Sequence, residues 1–234
     1  MANREFTIGL VSGFLCPLLF SVAASCLATT QVEIAIHNDA RVPESMLTQA
    51  AREAARIFQK AGVDSVWIVC QSPNTGANSS SGCLSRVDLA HVSLRVVPWS
   101  AQLGDSIFGL AFLSEKGVGS YSDVFYPSVE KLRSACDANL SRVLGHVMAH
   151  EIGHLLLGTN SHSALGIMQP HWQAEELRRI GMGTLLFTPD QARSMRARLL
   201  GMSEELVEGD KPGRDPDSER LQTNTEPTNT AHIK

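Results

Sequence analysis

The sequence predicts an α+β fold, a twisted, mixed five-stranded sheet with two main helices and a further helix toward the C-terminus. Three observations lead there. A strand and a helix open the ordered part of the chain, four more strand-like runs follow, and the stretch "HVMAHEIGHLLLGTNSHSALGIMQP" at 146–170 then reads as a buried apolar helix with a turn-rich exit. That stretch also holds four histidines and one glutamate. Buried polar groups of this kind are unfavourable unless something pairs with them, so the helix calls for a partner outside its own sequence.

The elements follow in order. "VEIAIHN" puts Val32, Ile34 and Ile36 on one face, the two-residue period of a half-buried strand. "PESMLTQAAREAARIFQKAG" places Met46, Ala50, Ala54, Ile57, Phe58 and Ala61 at helical spacing and stops at Gly62. "VWIVC" (66–70) is the second strand and "HVSLRVV" (91–97) the third, with Val92, Leu94 and Val96 together. "FGLAFL" (108–113) and "SYSDVFY" (120–126) are two more, separated by the turn "SEKGVG". A strand–helix–strand opening needs a crossover between parallel strands, so the expected sheet is mixed with one antiparallel edge. Beyond the histidines, "AEELRRIG" (174–181) is a short helix and "TPDQARSMRARLLG" (188–201) the C-terminal one. In the latter Thr188 caps, Pro189 suits the first turn, Gln191 completes a capping box and Gly201 ends the helix.

The ends of the chain differ from its middle. "IGLVSGFLCPLLFSVAASCLA" runs from Ile8 to Ala28 without a charge, the pattern of a signal peptide over residues 1–28. An uncleaved anchor helix is the competing reading, and Pro17 with the small-residue end favours cleavage. The expected domain is then 29–202, secreted or periplasmic and free of the membrane after cleavage. Only Thr29 to Gln31 separate the cleavage site from the first strand, so latency through a cysteine-bearing propeptide is not expected. Residues 203–234 are acidic, without aromatics and poor in apolar side chains; they read as a disordered polar tail. Of the cysteines outside the signal, Cys70 and Cys83 flank the polar loop "QSPNTGANSSSG" and are suited to a bridge, which leaves Cys136 as an inert buried thiol. A formal net charge of −4 and a pI near 6.1 leave no electrostatic footprint for nucleic acid.

The histidine stretch carries chemistry. His150, Glu151 and His154 spell H-E-x-x-H, and on a helix the two histidines sit one turn apart on one face, where both imidazoles reach one Zn²⁺. Glu151 is placed beside them to act as general base on an activated water and to pass the proton to a leaving amine. Two ligands are too few for a zinc site. Gly158 can take the left-handed turn that redirects the chain, and His162 is the first ligand-type side chain after it. The rival third ligand is a glutamate, as in thermolysin-like enzymes, supplied by Glu175 or Glu176.

With Met168 following in "SALGIM", these residues resemble the metzincin clan of zinc endopeptidases, whose pattern is H-E-x-x-H-x-x-G-x-x-H followed by a methionine turn. The match is similar to the matrix-metalloproteinase form in particular, and also to uncharacterised secreted bacterial proteins. The spacing departs from the pattern, because Gly158 lies four residues after His154 and His162 eight after it, where the family has three and six. The helix and the return loop would each be one residue longer. The resemblance implies a metzincin-like sheet, a zinc helix, a methionine turn and a C-terminal helix. It also implies a monomeric enzyme cutting protein or peptide substrates, with His150, His154 and His162 on zinc and Glu151 catalytic. In that architecture the edge strand Gly109–Leu113 pairs with an extended substrate, and Tyr121 or Tyr126 could donate to the developing oxyanion. A non-catalytic, zinc-stabilised binding module on the same fold is the alternative.

Overall fold

In the computed structural model the described residues are 30–70, 83, 90–99, 107–135 and 138–209. The expected signal segment 1–28, Cys136 and the tail beyond Gly209 lie outside them. The elements are β1 (Gln31–Asn38), α1 (Glu44–Lys60), β2 (Asp64–Cys70), β3 (His91–Val97), β4 (Gly109–Phe112), β5 (Tyr121–Phe125), α2 (Tyr126–Ser134), α3 (Leu140–Leu157), α4 (Ala174–Met182) and α5 (Pro189–Gly209). Among the described residues no helix is long and apolar enough to cross a membrane.

The sheet runs β2-β1-β3-β5-β4. The α1 crossover makes β1 and β2 parallel; β3 and β5 continue in the same direction, and β4 alone is antiparallel, pairing Gly109 with Val124 and Phe112 with Tyr121 at the sheet's edge. The mixed sheet with one antiparallel edge is therefore the observed one.

Alternation places Val32, Ile34 and Ile36 of β1 and Val92, Leu94 and Val96 of β3 on the inner face, all essentially inaccessible to solvent. Against them pack Leu47, Ala50, Ala54, Ile57 and Phe58 of α1 and the whole inner length of α3. The apolar stripe of α1 starts at Leu47 rather than Met46, which is half-buried and meets the Tyr126 hydroxyl through its sulfur. Leu47, Ala50 and Ala54 keep the three-and-four spacing and so stay in phase with Ile57.

Two boundaries differ from the expectation. The strand run "SYSDVFY" stops at Phe125, and Tyr126 begins the unforeseen helix α2, with proline in its first turn and Val129 and Leu132 buried. Gly201 does not end α5, which continues to Gly209, so the first residues of the expected disordered tail, 203–209, are helical instead. A glycine within a helix costs about 1 kcal/mol and is not by itself a stop; here it has open space around it and helix formers after it. The start of α5 is as expected: Thr188 N–H donates to Gln191 Oε1 at 2.9 Å and Gln191 N–H to Thr188 Oγ1 at 3.3 Å. Cys70 and Cys83 form a disulfide with Cα atoms 5.7 Å apart. Closing a short loop of this kind contributes about 3 kcal/mol, mainly by restricting the unfolded chain.

Candidate metal centre

α3 is capped at its start by Asn139, whose side chain accepts from the Arg142 N–H at 2.8 Å, and at its end by Gly158 in the left-handed conformation, φ 67°. Between them the helix is buried nearly all round. His150, Glu151 and His154 are only 7 %, 4 % and 4 % exposed, so three polar side chains share one enclosed space beside β4.

Backbone carbonyls fix the two imidazoles. His150 Nδ1 lies 2.7 Å from the Ile167 carbonyl and His154 Nδ1 2.8 Å from the Thr159 carbonyl. A carbonyl can only accept, so each Nδ1 carries the hydrogen and each Nε2 presents a lone pair. Those two Nε2 atoms face each other at 3.1 Å. Two lone pairs at that distance repel unless a cation stands between them. Two nitrogens at 2.0–2.1 Å from a tetrahedral zinc lie about 3.3 Å apart, so the observed pair is close to the separation such an ion requires.

The third histidine joins them. The ring of His162 lies 5.4 Å from that of His150 and 4.9 Å from that of His154, centroid to centroid, and one ligand nitrogen from each of the three falls within 4.8 Å of the others. Among the described residues this is the only such cluster of metal-ligating side chains. Burial, reinforced by His154, holds His150 down to about 3, and burial lowers His154 and His162 as well. All three are thereby kept in the neutral form that binds metal.

The longer spacing has a local explanation. The Gly158 and Thr159 N–H groups both return to the His154 carbonyl, at 2.9 and 3.2 Å, closing the helix with a left-handed turn. That turn swings the Thr159 carbonyl behind His154, where it accepts from Nδ1. The chain comes back through Ser163, whose N–H donates to the Met168 carbonyl at 2.9 Å. Met168 itself is buried beneath the motif, against the Cβ-less Gly153, where a methyl group would come within 2.8 Å of its sulfur and of Phe187. The Ile167 carbonyl serves twice, accepting from His150 Nδ1 and, at 3.1 Å, from Trp172 Nε1, whose ring stands edge-on to His150.

Glu151 occupies the same space. Burial alone pushes its carboxyl up to about 8, against an ordinary 4.5. The space exists because residue 109 is glycine: a Cβ there would lie 2.6 Å from Glu151 Cδ and 2.4 Å from the Asp123 carbonyl. In the metal-free protein this burial sets a pH dependence. Between pH 4.5 and 8 the unfolded chain ionises Glu151 and the folded chain does not, so this group's contribution is fully present below 4.5 and is lost as pH rises through 8. Glu151→Gln should therefore gain on the wild type as pH rises across that window, measured by urea unfolding of both metal-free proteins; parallel curves would contradict it.

The cleft in front of these groups has a volume of about 350 Å³ and is lined by β4 residues Gly109, Leu110 and Ala111, by the site residues, and by Asn160, Pro170 and His171. The rival ligands are elsewhere. Glu175 is exposed and paired with Arg178 at 2.8 Å, and Glu176 closes the capping box of α4 on Gln173. The tyrosine expectation is also corrected. Tyr121 donates to Asp123 on the outer face of the sheet and Tyr126 faces Met46, so neither lines the cleft. His146 is fully buried in the core, with Nδ1 on the Arg142 carbonyl at 2.9 Å, and is no part of the cluster.

No protein-family model and no curated protein matches the chain. Solved structures to which the chain is similar include a zinc-dependent peptidase from Methanocorpusculum labreanum, at 18% identity and TM-score 0.45 over 69% of this chain and 99% of that one. An archaemetzincin from Methanopyrus kandleri follows at 14% identity and TM-score 0.41, over 73% and 97%. A metalloproteinase-II from Bacteroides fragilis stands at 14% and 0.43, over 73% of this chain and 54% of that one. These likenesses are distant.

Proposed function

We propose that this chain is an exported zinc-dependent endopeptidase of metzincin type. The observation that carries the reading is the pair of Nε2 lone pairs of His150 and His154, two buried side chains, opposed at 3.1 Å in a cleft that also holds the more exposed His162 and the buried Glu151 carboxyl. His150, His154 and His162 would hold the zinc. When bound, zinc supplies Lewis acidity, activating water and polarising the scissile carbonyl. Glu151 takes the proton of the attacking water and delivers it to the departing amine. Its raised affinity for protons suits both halves of that transfer, and the positive charge of the ion would favour the carboxylate needed for the first.

The edge position of β4 supports a substrate binding mode. An extended peptide laid along Gly109–Phe112 would add a strand to the sheet and bring its backbone carbonyl into the cleft. Glu151 also separates this reading from a zinc-stabilised binding module, which has no use for a buried carboxyl beside its ligands. The same proposal includes residues 1–28 as a removed signal peptide, a monomeric catalytic domain over 29–202, and no nucleic-acid partner.

The experiment is digestion of an unstructured protein by the zinc-loaded chain, with fragments read by mass spectrometry. Internal cuts that a chelator abolishes are expected; removal of terminal residues only would contradict the endopeptidase assignment.

A further inference from the structure

The loop that carries His162 is longer than the metzincin pattern allows, and in this structure one helix outside the motif grips both of its ends. At the start of the loop, the guanidinium of Arg198 on α5 lies flat on Gly158: a Cβ at that glycine would fall 2.4 Å from its carbon. Arg198 Nη2 donates to the Gly117 carbonyl at 2.9 Å, and Gly117, in the β4–β5 turn, packs on Gly158 so closely that a Cβ would meet its carbonyl at 2.3 Å. At the far end, Gln191 Nε2 donates at 2.8 Å to the hydroxyl of Ser163, the residue after His162. The Gln191 amide cannot be turned round without loss, because its oxygen already accepts from Thr188 N–H.

We infer that α5 is a clamp on the third-ligand loop, with Arg198 and Gln191 as positioning residues for His154 and His162. The inference rests on the zinc reading above. The route from Arg198 is short: it fixes the left-handed turn at Gly158, the turn places the Thr159 carbonyl, and that carbonyl orients His154 Nδ1. Arg198 is poorly explained as a simple stabiliser, since its buried Nε–H has no acceptor among the described residues and desolvation of that group opposes its burial. Placement of the turn is what the guanidinium supplies, and a loop longer by one residue has more conformations to be excluded.

The test uses two conservative variants of the full chain and zinc affinity measured by competition with a chromophoric chelator. Arg198→Lys keeps the charge and loses the flat contact. Gln191→Glu keeps the acceptor for Thr188 N–H, and with it the helix cap, but loses the donor to Ser163. Both are expected to bind zinc about 10–100-fold more weakly than wild type, the range for loss of an outer-shell partner. Gln191→Glu should do so with an unchanged melting temperature of the metal-free protein. Arg193→Lys, on the exposed face of the same helix, should match wild type. Gln191→Glu decides the case if Arg198→Lys does not fold. Affinities within about twofold of wild type overturn the clamp alone, whereas a wild-type chain that binds no zinc overturns the proposed function and the clamp with it.

Discussion

Glu151→Gln is expected to keep one zinc per chain and to lower peptide turnover by about 10²- to 10⁴-fold, the usual contribution of a positioned general base. The amide fills nearly the same volume between α3 and Gly109, so packing is preserved, and His150 and His154 keep their carbonyl partners. What is lost is the ability to accept a proton from water and return it to the amine. Steady-state kinetics should place the loss in kcat, because Glu151 acts on the reacting atoms and adds little to substrate binding. A variant that turns over peptide at the wild-type rate would remove Glu151 from the mechanism.

The second large effect separates the third ligand from its rivals. His162→Ala should lose zinc affinity by more than the 10–100-fold typical of an outer-shell change, since it takes away one of three donors. Glu175→Ala should bind zinc as wild type does, because its exposed carboxylate is engaged with Arg178. Glu176→Ala should loosen the start of α4, where its side chain accepts from Gln173 N–H at 3.1 Å, and leave the metal in place. Isothermal titration of the three variants gives the answer. Full affinity in His162→Ala, with loss in either glutamate variant, would move the third ligand to α4.

Much of the fold was legible because its signals are local. The alternation in "VEIAIHN" and "HVSLRVV" is the pleat itself, and the α1 crossover forces the parallel pairing that follows. α2 was not legible: it is short, it starts on the last aromatic of a strand-like run, and it buries only Ser128, Val129 and Leu132. The end of α5 was misread because Gly201 carries the symbol of a stop without the left-handed backbone that makes one, in contrast to Gly158.

At the site, H-E-x-x-H and the glycine turn are sequence features, and the structure brings His162 to them. The acceptors that orient the ring nitrogens are backbone carbonyls of Thr159 and Ile167, which leave no mark in the sequence. Gly109 did leave one, as an isolated glycine within a strand pattern, a common sign of close approach by another group. The tyrosine expectation failed because strand spacing does not say which face meets a cleft. Tyr121 stands opposite Phe112 on the outer face, stacked near the Arg95 guanidinium.

The proposed function requires one zinc ion, which His150, His154 and His162 would hold beside Glu151. Its most direct test is turnover of an unstructured peptide library as zinc is added stepwise to the metal-free protein. Cleavage should rise in proportion to the zinc added and stop rising at one equivalent per chain. Stoichiometric binding of zinc with no peptide cut anywhere in the library would contradict it.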